Sequence, residues 1–153
     1  MLRRIFAALV LSSPFFTPVR AAPPVSASGA SQTAIGGYDT VSYHLPAVRQ
    51  SHAAFVGEER FAVPYLGARW QFASRESAQR FAAEPVRYLP QYNGFCANAL
   101  SLGEGLIRTN GAVWEFFGDR LYLFYAERGR QRWLTGNWQS YLGQADAAWL
   151  AAL

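Results

Sequence analysis

The stretch from 113 to 125 constrains the fold of this chain more than any other part of it. Residues 113–117 read Val-Trp-Glu-Phe-Phe, residues 120–125 read Arg-Leu-Tyr-Leu-Phe-Tyr, and Gly118-Asp119 separates the two runs. Aromatic and branched side chains on both sides of a two-residue turn that contains glycine are typical of a β-hairpin. The pattern therefore predicts two antiparallel strands joined at Gly118-Asp119.

A second hairpin is predicted earlier in the chain. Residues 60–66 and 68–73 flank Gly67, and both runs alternate apolar side chains with other residues. Alternation with a period of two is the mark of a half-buried strand. Pro64 cannot donate a hydrogen bond to a neighbouring strand, so it favours an edge position for the first of these strands.

Helices are predicted after both hairpins and before the first. Ser74 is a suitable N-cap for a helix that Pro85 ends, and residues 128–153 indicate two further helical pieces. Asp39 is a suitable N-cap for a short helix over residues 40–44, closed by Pro46. Together these elements predict a small single α+β domain in which antiparallel β-hairpins pack against short helices.

The first 21 residues have the pattern of a signal peptide. Arg3 and Arg4 precede an apolar run, and Val-Arg-Ala ending at Ala21 provides a cleavage site. The run is too short, and too interrupted by prolines, to span a bilayer. We expect a periplasmic or secreted protein, exported by the secretory route or, given the Arg-Arg pair, by the twin-arginine route.

The next segment, residues 22–34, is rich in Pro, Ser, Ala and Gly. That composition buries little apolar surface, which predicts a disordered linker. Residues 35–153 are expected to form one domain with a single core.

The charge of the chain excludes some classes of partner. Three of its fourteen Arg and Lys residues lie within residues 1–21, so the remainder carries eleven positive against ten negative groups, a net charge of +1. Such a chain lacks the basic surface of a nucleic-acid-binding protein. After residue 21 there is also no apolar run long enough to span a membrane.

Cys96 is the single cysteine of the chain, so it forms no intramolecular disulfide and is either buried or chemically used. Asn93 is a suitable N-cap for a helix whose first turn holds residues 94–96. Helix-start geometry favours the thiolate, which is a nucleophile and a ligand for copper or zinc. The alternative is a small side chain packed in the core.

Tyr92 and Phe95 bracket Asn93 and Gly94 beside this thiol, and these four residues are expected to wall a pocket. Two histidines, His44 and His52, are the other candidate metal ligands. One cysteine and two histidines complete a copper or zinc site if the fold brings them together. The spacing of His44 and His52 is not a metal-binding motif in itself. For each histidine, a structural role is more frequent than a role as metal ligand.

Four segments of the chain resemble the exported YHS domain-containing proteins, over roughly residues 35 to 150. They are Gly-Tyr-Asp-Thr-Val-Ser-Tyr at 37–43, Tyr-Leu-Gly-Ala-Arg-Trp-Gln-Phe-Ala-Ser at 65–74, Tyr-Leu-Pro-Gln-Tyr-Asn-Gly-Phe-Cys-Ala at 88–97, and Asp-Arg-Leu-Tyr-Leu at 119–123. The resemblance implies metal binding through two cysteines near a hairpin-to-helix junction. In this chain Ala73 and Ser77 occupy those positions, and neither supplies a soft ligand.

Three classes of function follow. The first is an accessory protein that binds a soft metal ion, copper or zinc, through Cys96 with His44 or His52. The second is a thiol-redox protein in which Cys96 reacts with a thiol or an oxidant from outside the chain. The third is a non-catalytic module that binds another envelope protein. The chain carries no Ser/His/Asp ordering, phosphate-binding loop or paired-cysteine motif, so the sequence does not favour an enzyme.

Overall fold

A computed structural model describes residues 21–153 and contains both helices and strands. The strands are β1 (Ala27–Ser28), β2 (Thr33–Ala34), β3 (Glu58–Tyr65), β4 (Ala68–Phe72), β5 (Val113–Phe117) and β6 (Arg120–Phe124). The helices are α1 (Pro46–Ser51), α2 (Arg75–Ala83), α3 (Pro85–Tyr88), α4 (Ala97–Ser101), α5 (Glu127–Thr135) and α6 (Trp138–Ala151). Three short 3-10 turns lie at Ile35–Gly37, Ser42–His44 and Gln91–Gly94. The predicted α+β fold with antiparallel hairpins and short helices is confirmed.

The first sheet has four strands in the order β1-β2-β4-β3. Its β3–β4 hairpin is the one predicted around Gly67, and β3 with Pro64 is at the edge of the sheet, as expected. Leu66 and Gly67 both have positive φ, at 51° and 75°, which is the backbone of a tight turn that matches the twist of a hairpin. The pairing of β2 with β4 is parallel, whereas the others in this sheet are antiparallel.

The second sheet is the β5–β6 hairpin, with Val113 opposite Phe124 and Phe117 opposite Arg120. Both predicted strands and the Gly118-Asp119 turn are confirmed, with β6 ending at Phe124. Two groups of buried side chains pack around the sheets, whereas the sequence predicts a single core. One includes Ile35, Tyr43, Trp70, Phe72, Phe81 and Trp114; the other includes Tyr92, Phe117, Tyr122, Phe124 and Trp133.

The prediction of a disordered linker over residues 22–34 does not agree with the structure. Residues 27–28 and 33–34 form β1 and β2, and Ser26, Ala27 and Ala34 are buried. The reason is that these residues are ordered through backbone pairing and buried polar contacts rather than through large apolar side chains. Small residues allow the strand to approach its neighbours closely, and the domain therefore begins before residue 35.

The predicted signal peptide, residues 1–21, lies outside the described residues except for Ala21. Residues 21–24, around the expected cleavage bond, are exposed and have no assigned secondary structure. Among residues 21–153, no helix combines the length and apolarity that crossing a bilayer requires.

Of the predicted helix ends, the cap at Ser74 is correct and the stop at Pro46 is wrong. Ser74 caps α2 as predicted, since its hydroxyl accepts the Ser77 N–H at 3.1 Å. Pro46, expected to close a helix, instead occupies the first turn of α1. A proline is tolerated there because the first helical N–H groups have no partner within the helix.

Candidate functional site

Asp39 joins three parts of the chain through its carboxylate, which is buried with its residue only 1% exposed. Oδ1 accepts the N–H groups of Val41 at 2.9 Å and Ser42 at 3.2 Å. Oδ2 accepts the N–H of Ala73 at 3.0 Å and the hydroxyl of Ser77 at 2.6 Å. The 3-10 turn begins at Ser42 and its N-cap position is Val41, so the predicted N-cap role of Asp39 is wrong, although Asp39 accepts two N–H groups at the start of this turn. The same side chain also fixes the end of β4 against α2.

The four donors around Asp39 match the acceptor sites of a carboxylate, which number about four. A buried carboxylate is tolerated only when hydrogen bonds replace its hydration. This arrangement is consequently rigid: the segment after Asp39, the junction of β4 and α2, and the first turn of α2 are held at fixed separations.

A cavity of about 330 Å³ opens directly beside this junction, and we call it the Asp39 cavity. Four apolar side chains form part of its wall, namely Val41, Leu45, Phe55 and Ala73. Its polar lining consists of Asp39, Ser42, Ser74, Glu76, Ser77 and Arg80. A volume of this size lies at the lower end of the range for small-molecule sites, about 300 to 1,000 Å³.

The lining of the Asp39 cavity includes one exposed ion pair. Arg80 Nη2 lies 2.7 Å from Glu76 Oε1, one helical turn away on α2, and both side chains are more than half exposed. Exposed pairs of this kind contribute about 0 to 1 kcal/mol to stability. The two charges are therefore held loosely and are free to exchange partners.

The two positions at which the YHS resemblance places metal-binding cysteines, Ala73 and Ser77, both line this cavity. Here neither is a ligand for a soft metal. The Ala73 amide and the Ser77 hydroxyl both donate to Asp39 Oδ2 instead. In this chain the hairpin-to-helix junction is thus closed by hydrogen bonds to a carboxylate.

Cys96 is buried, with 3% of its surface exposed, and it is the N-cap of α4. Its Sγ accepts the N–H groups of Ala99 at 3.4 Å and Tyr125 at 3.2 Å. The prediction that Asn93 caps this helix is wrong. Asn93 has a left-handed backbone, with φ of 49°, and its side-chain amide donates to the carbonyl of Pro24 at 3.0 Å.

A small pocket of about 50 Å³ adjoins Cys96 and is lined in part by Ile107, Tyr125 and Arg128. Its volume corresponds to one or two water molecules, at about 30 Å³ each. Tyr92, Asn93, Gly94 and Phe95, expected to wall a pocket beside the thiol, line neither this pocket nor the Asp39 cavity.

The side chains of Tyr92 and Phe95 instead belong to the second core. Both rings lie close to that of Trp149, with centroids 6.0 and 6.3 Å away, and the Tyr92 hydroxyl donates to Asp146 at 2.8 Å. Burial and this hydrogen bond raise the pKa of Tyr92. Gly94 is buried with φ of 86°, where a Cβ would collide with Ile35.

His44 packs edge-on between two rings, with centroids 5.4 Å from Tyr88 and 5.2 Å from Phe116. Its Nε2 is buried and has no hydrogen-bond partner. Burial lowers the pKa of His44, the guanidinium groups of Arg49 and Arg87 lower it further, and the backbone of Tyr88 raises it in part.

His52 lies in a different environment. Its ring stacks on Trp114 at 4.8 Å, and Nε2 lies 3.2 Å from Glu115 Oε2 and 3.2 Å from Arg130 Nη2. Arg130 donates twice to the same carboxylate oxygen of Glu115, at 3.1 and 2.7 Å. Burial raises the pKa of Glu115, but hydrogen bonds from Arg130, the Phe116 amide and His52 bring it below its usual range.

The three expected metal ligands therefore have different partners. Cys96 contacts backbone amides, His44 contacts aromatic rings, and His52 contacts the Glu115–Arg130 ion pair. Within residues 21–153, no three or more His, Cys, Asp and Glu side chains are grouped closely enough to hold a metal ion.

The Asp39 cavity is the feature that the sequence did not reveal as a site. The local sequence predicts Asp39 only as a helix cap. The signal that the sequence did contain was the YHS resemblance, which drew attention to Ala73 and Ser77 at this junction.

Comparisons with known proteins add no family to this description. No protein-family model, no curated protein and no solved structure matches the chain.

Proposed function

We propose that this protein is a non-catalytic binding module of the exported compartment, and that it holds a small, mainly apolar ligand in the Asp39 cavity. The observation that carries the proposal is the cavity of about 330 Å³ beside the hydrogen-bonded Asp39 carboxylate. Small-molecule sites are typically concave, lined mainly by apolar groups, and provided with a few fixed polar atoms.

Preorganisation supports the proposal. Asp39 fixes both the segment of Val41 and Ser42 and the junction at Ala73, and these residues line the cavity. A site whose walls are already in place loses little conformational entropy when a ligand binds. Phe55, whose side chain is about half exposed, adds an aromatic surface to the wall.

The two alternatives at Cys96 have less support. The Cys96 thiol caps a buried helix, and the pocket of about 50 Å³ beside it holds only a very small molecule. A copper or zinc site requires further ligands, and His44 and His52 each contact other groups. Proteins that bind zinc structurally use four ligands at fixed distances.

The test uses indole as an uncharged apolar probe and follows the amide resonances of the ¹⁵N-labelled protein. We expect saturable shifts at Ser42, Phe55 and residues 73–77, with none at Cys96 or Tyr125. Ala73→Leu should abolish these shifts by filling the cavity, while its backbone N–H still donates to Asp39.

The matched control is Ala83→Leu, the same substitution at an exposed position of α2 outside the cavity lining. It should bind indole like the wild type. Equal indole binding by wild type, Ala73→Leu and Ala83→Leu, or no shifts at the cavity residues, would contradict the proposed function.

A further inference from the structure

We infer that the ligand of the Asp39 cavity is a zwitterionic amino acid with an apolar side chain. This inference rests on the proposed function and adds the chemical class of the ligand to it. It is derived from the two exposed charges in the lining of the cavity and from the apolar side chains that share this lining.

The first step concerns the charged part of the lining. Glu76 and Arg80 both line the cavity and place one negative and one positive group within 2.7 Å of each other. A free amino acid carries an ammonium and a carboxylate at a similarly short separation. The ammonium would pair with Glu76 and the carboxylate with Arg80, whose planar guanidinium binds carboxylates through two parallel hydrogen bonds.

The second step concerns the energy of exchanging partners. The existing Glu76–Arg80 pair is exposed, so separating it costs about 0 to 1 kcal/mol. A zwitterion replaces one ion pair with two, and neither charge of the protein is left without a partner. A ligand with a single charge would satisfy Glu76 or Arg80 but would compete with the pair that it breaks.

The third step concerns the interior. Val41, Leu45 and Phe55 offer an apolar surface for a side chain, and the volume equals that of about eleven waters at about 30 Å³ each. The Asp39 carboxylate already accepts hydrogen bonds from four donors. It therefore has little capacity left to accept a hydrogen bond from the ligand. Recognition of the ligand charges therefore falls to Glu76 and Arg80.

The experiment compares four ligands by isothermal titration calorimetry: L-phenylalanine, 2-phenylethylamine, 3-phenylpropanoate and indole. The second lacks the carboxylate and the third lacks the ammonium. We expect L-phenylalanine to bind tightest, with an affinity about tenfold above that of either singly charged analogue, which corresponds to about 1.4 kcal/mol.

Two variants assign the charges. Glu76→Gln should weaken L-phenylalanine and 2-phenylethylamine, and Arg80→Gln should weaken L-phenylalanine and 3-phenylpropanoate. The matched controls are Glu84→Gln and Arg87→Gln, which alter a similarly exposed ion pair outside the cavity lining and should bind like the wild type.

The outcomes separate the two proposals. If all four ligands bind with equal affinity and Ala73→Leu abolishes their binding, the zwitterion inference is wrong while the binding cavity stands. If none of the four binds, both are wrong. Loss of L-phenylalanine binding in Glu84→Gln or Arg87→Gln to the same extent as in Glu76→Gln or Arg80→Gln would also overturn the inference.

Discussion

The Ser77 hydroxyl donates a hydrogen bond of 2.6 Å to the buried carboxylate of Asp39, which lies 38 residues earlier in the chain. This contact closes the junction between β4 and α2, where the resemblance to YHS proteins implies a metal-binding pair. A structural carboxylate therefore occupies the centre of the region that we propose as a ligand site.

Removing this carboxylate should destabilise the protein strongly. Asp39→Ala leaves the N–H groups of Val41 and Ala73 and the Ser77 hydroxyl without this acceptor, whereas the Ser42 N–H keeps the Asp39 carbonyl at 3.0 Å. Each unsatisfied buried group costs about 1 to 3 kcal/mol. We expect a loss of about 3 kcal/mol or more in urea unfolding. Ser77→Ala removes one of these bonds and should cost about 1 kcal/mol. A loss below about 0.5 kcal/mol for Asp39→Ala, the range of an ordinary surface substitution, would show that the network does not stabilise the fold.

The segment before residue 35 should contribute to stability. The Ser26 hydroxyl accepts the Thr109 N–H at 2.9 Å in a buried contact, and the Ser26 N–H donates to the Asn93 carbonyl at 3.0 Å. Ser26→Ala should therefore lower the free energy of unfolding by about 1 to 3 kcal/mol. Ser31→Ala, five residues later at an exposed position, is the matched control and should have almost no effect. Similar values for the two variants would indicate that this segment behaves as the linker expected from its composition.

The thiol of Cys96 should react slowly in the folded protein. The thiol is buried and its sulfur accepts two backbone N–H groups. A reagent therefore gains access mainly when the structure opens. We expect alkylation by iodoacetamide to be about a hundredfold slower in buffer than in urea, corresponding to an opening free energy of about 2.8 kcal/mol. Equal rates in the two conditions would favour the thiol-redox alternative. Cys96→Ser, which retains an acceptor at the cap, should be more stable than Cys96→Ala by about 1 kcal/mol.

Stability should fall in mild acid because of His44. Its pKa in the folded state is lowered by burial and by Arg49 and Arg87, so the unfolded chain binds a proton more readily. The contribution of His44 is fully present above the unfolded pKa of about 6.5 and is lost as the pH falls through the folded pKa. Urea unfolding between pH 7.5 and pH 5 measures this slope, which His44→Gln should reduce. An imidazole titration midpoint at or above about 6.5, measured by NMR in the folded protein, would contradict the assignment.

The accuracy of the sequence-based predictions depended on the range of the interactions involved. The turns at Gly67 and Gly118-Asp119 and the cap at Ser74 depend on neighbouring residues, and all three were predicted. The two-residue strands β1 and β2 have no periodic pattern. They pair with each other, and β2 also pairs with β4 at Arg69, far along the chain.

The candidate site shows the same distinction. The contacts of Asp39 with Val41 and Ser42 are local, but its contacts with Ala73 and Ser77 span 34 and 38 residues. A cavity formed between such distant segments leaves no local sequence pattern. The expected grouping of Cys96 with the two histidines likewise required a tertiary arrangement that local patterns do not specify.

The most direct test of the Asp39 cavity as a ligand site is a crystal structure of the protein in the presence of indole. We predict electron density for the indole ring against Val41, Leu45 and Phe55, with Asp39 still bonded to Ser77. Indole bound only at another place, or a cavity that holds nothing but water at a saturating indole concentration, would contradict the account.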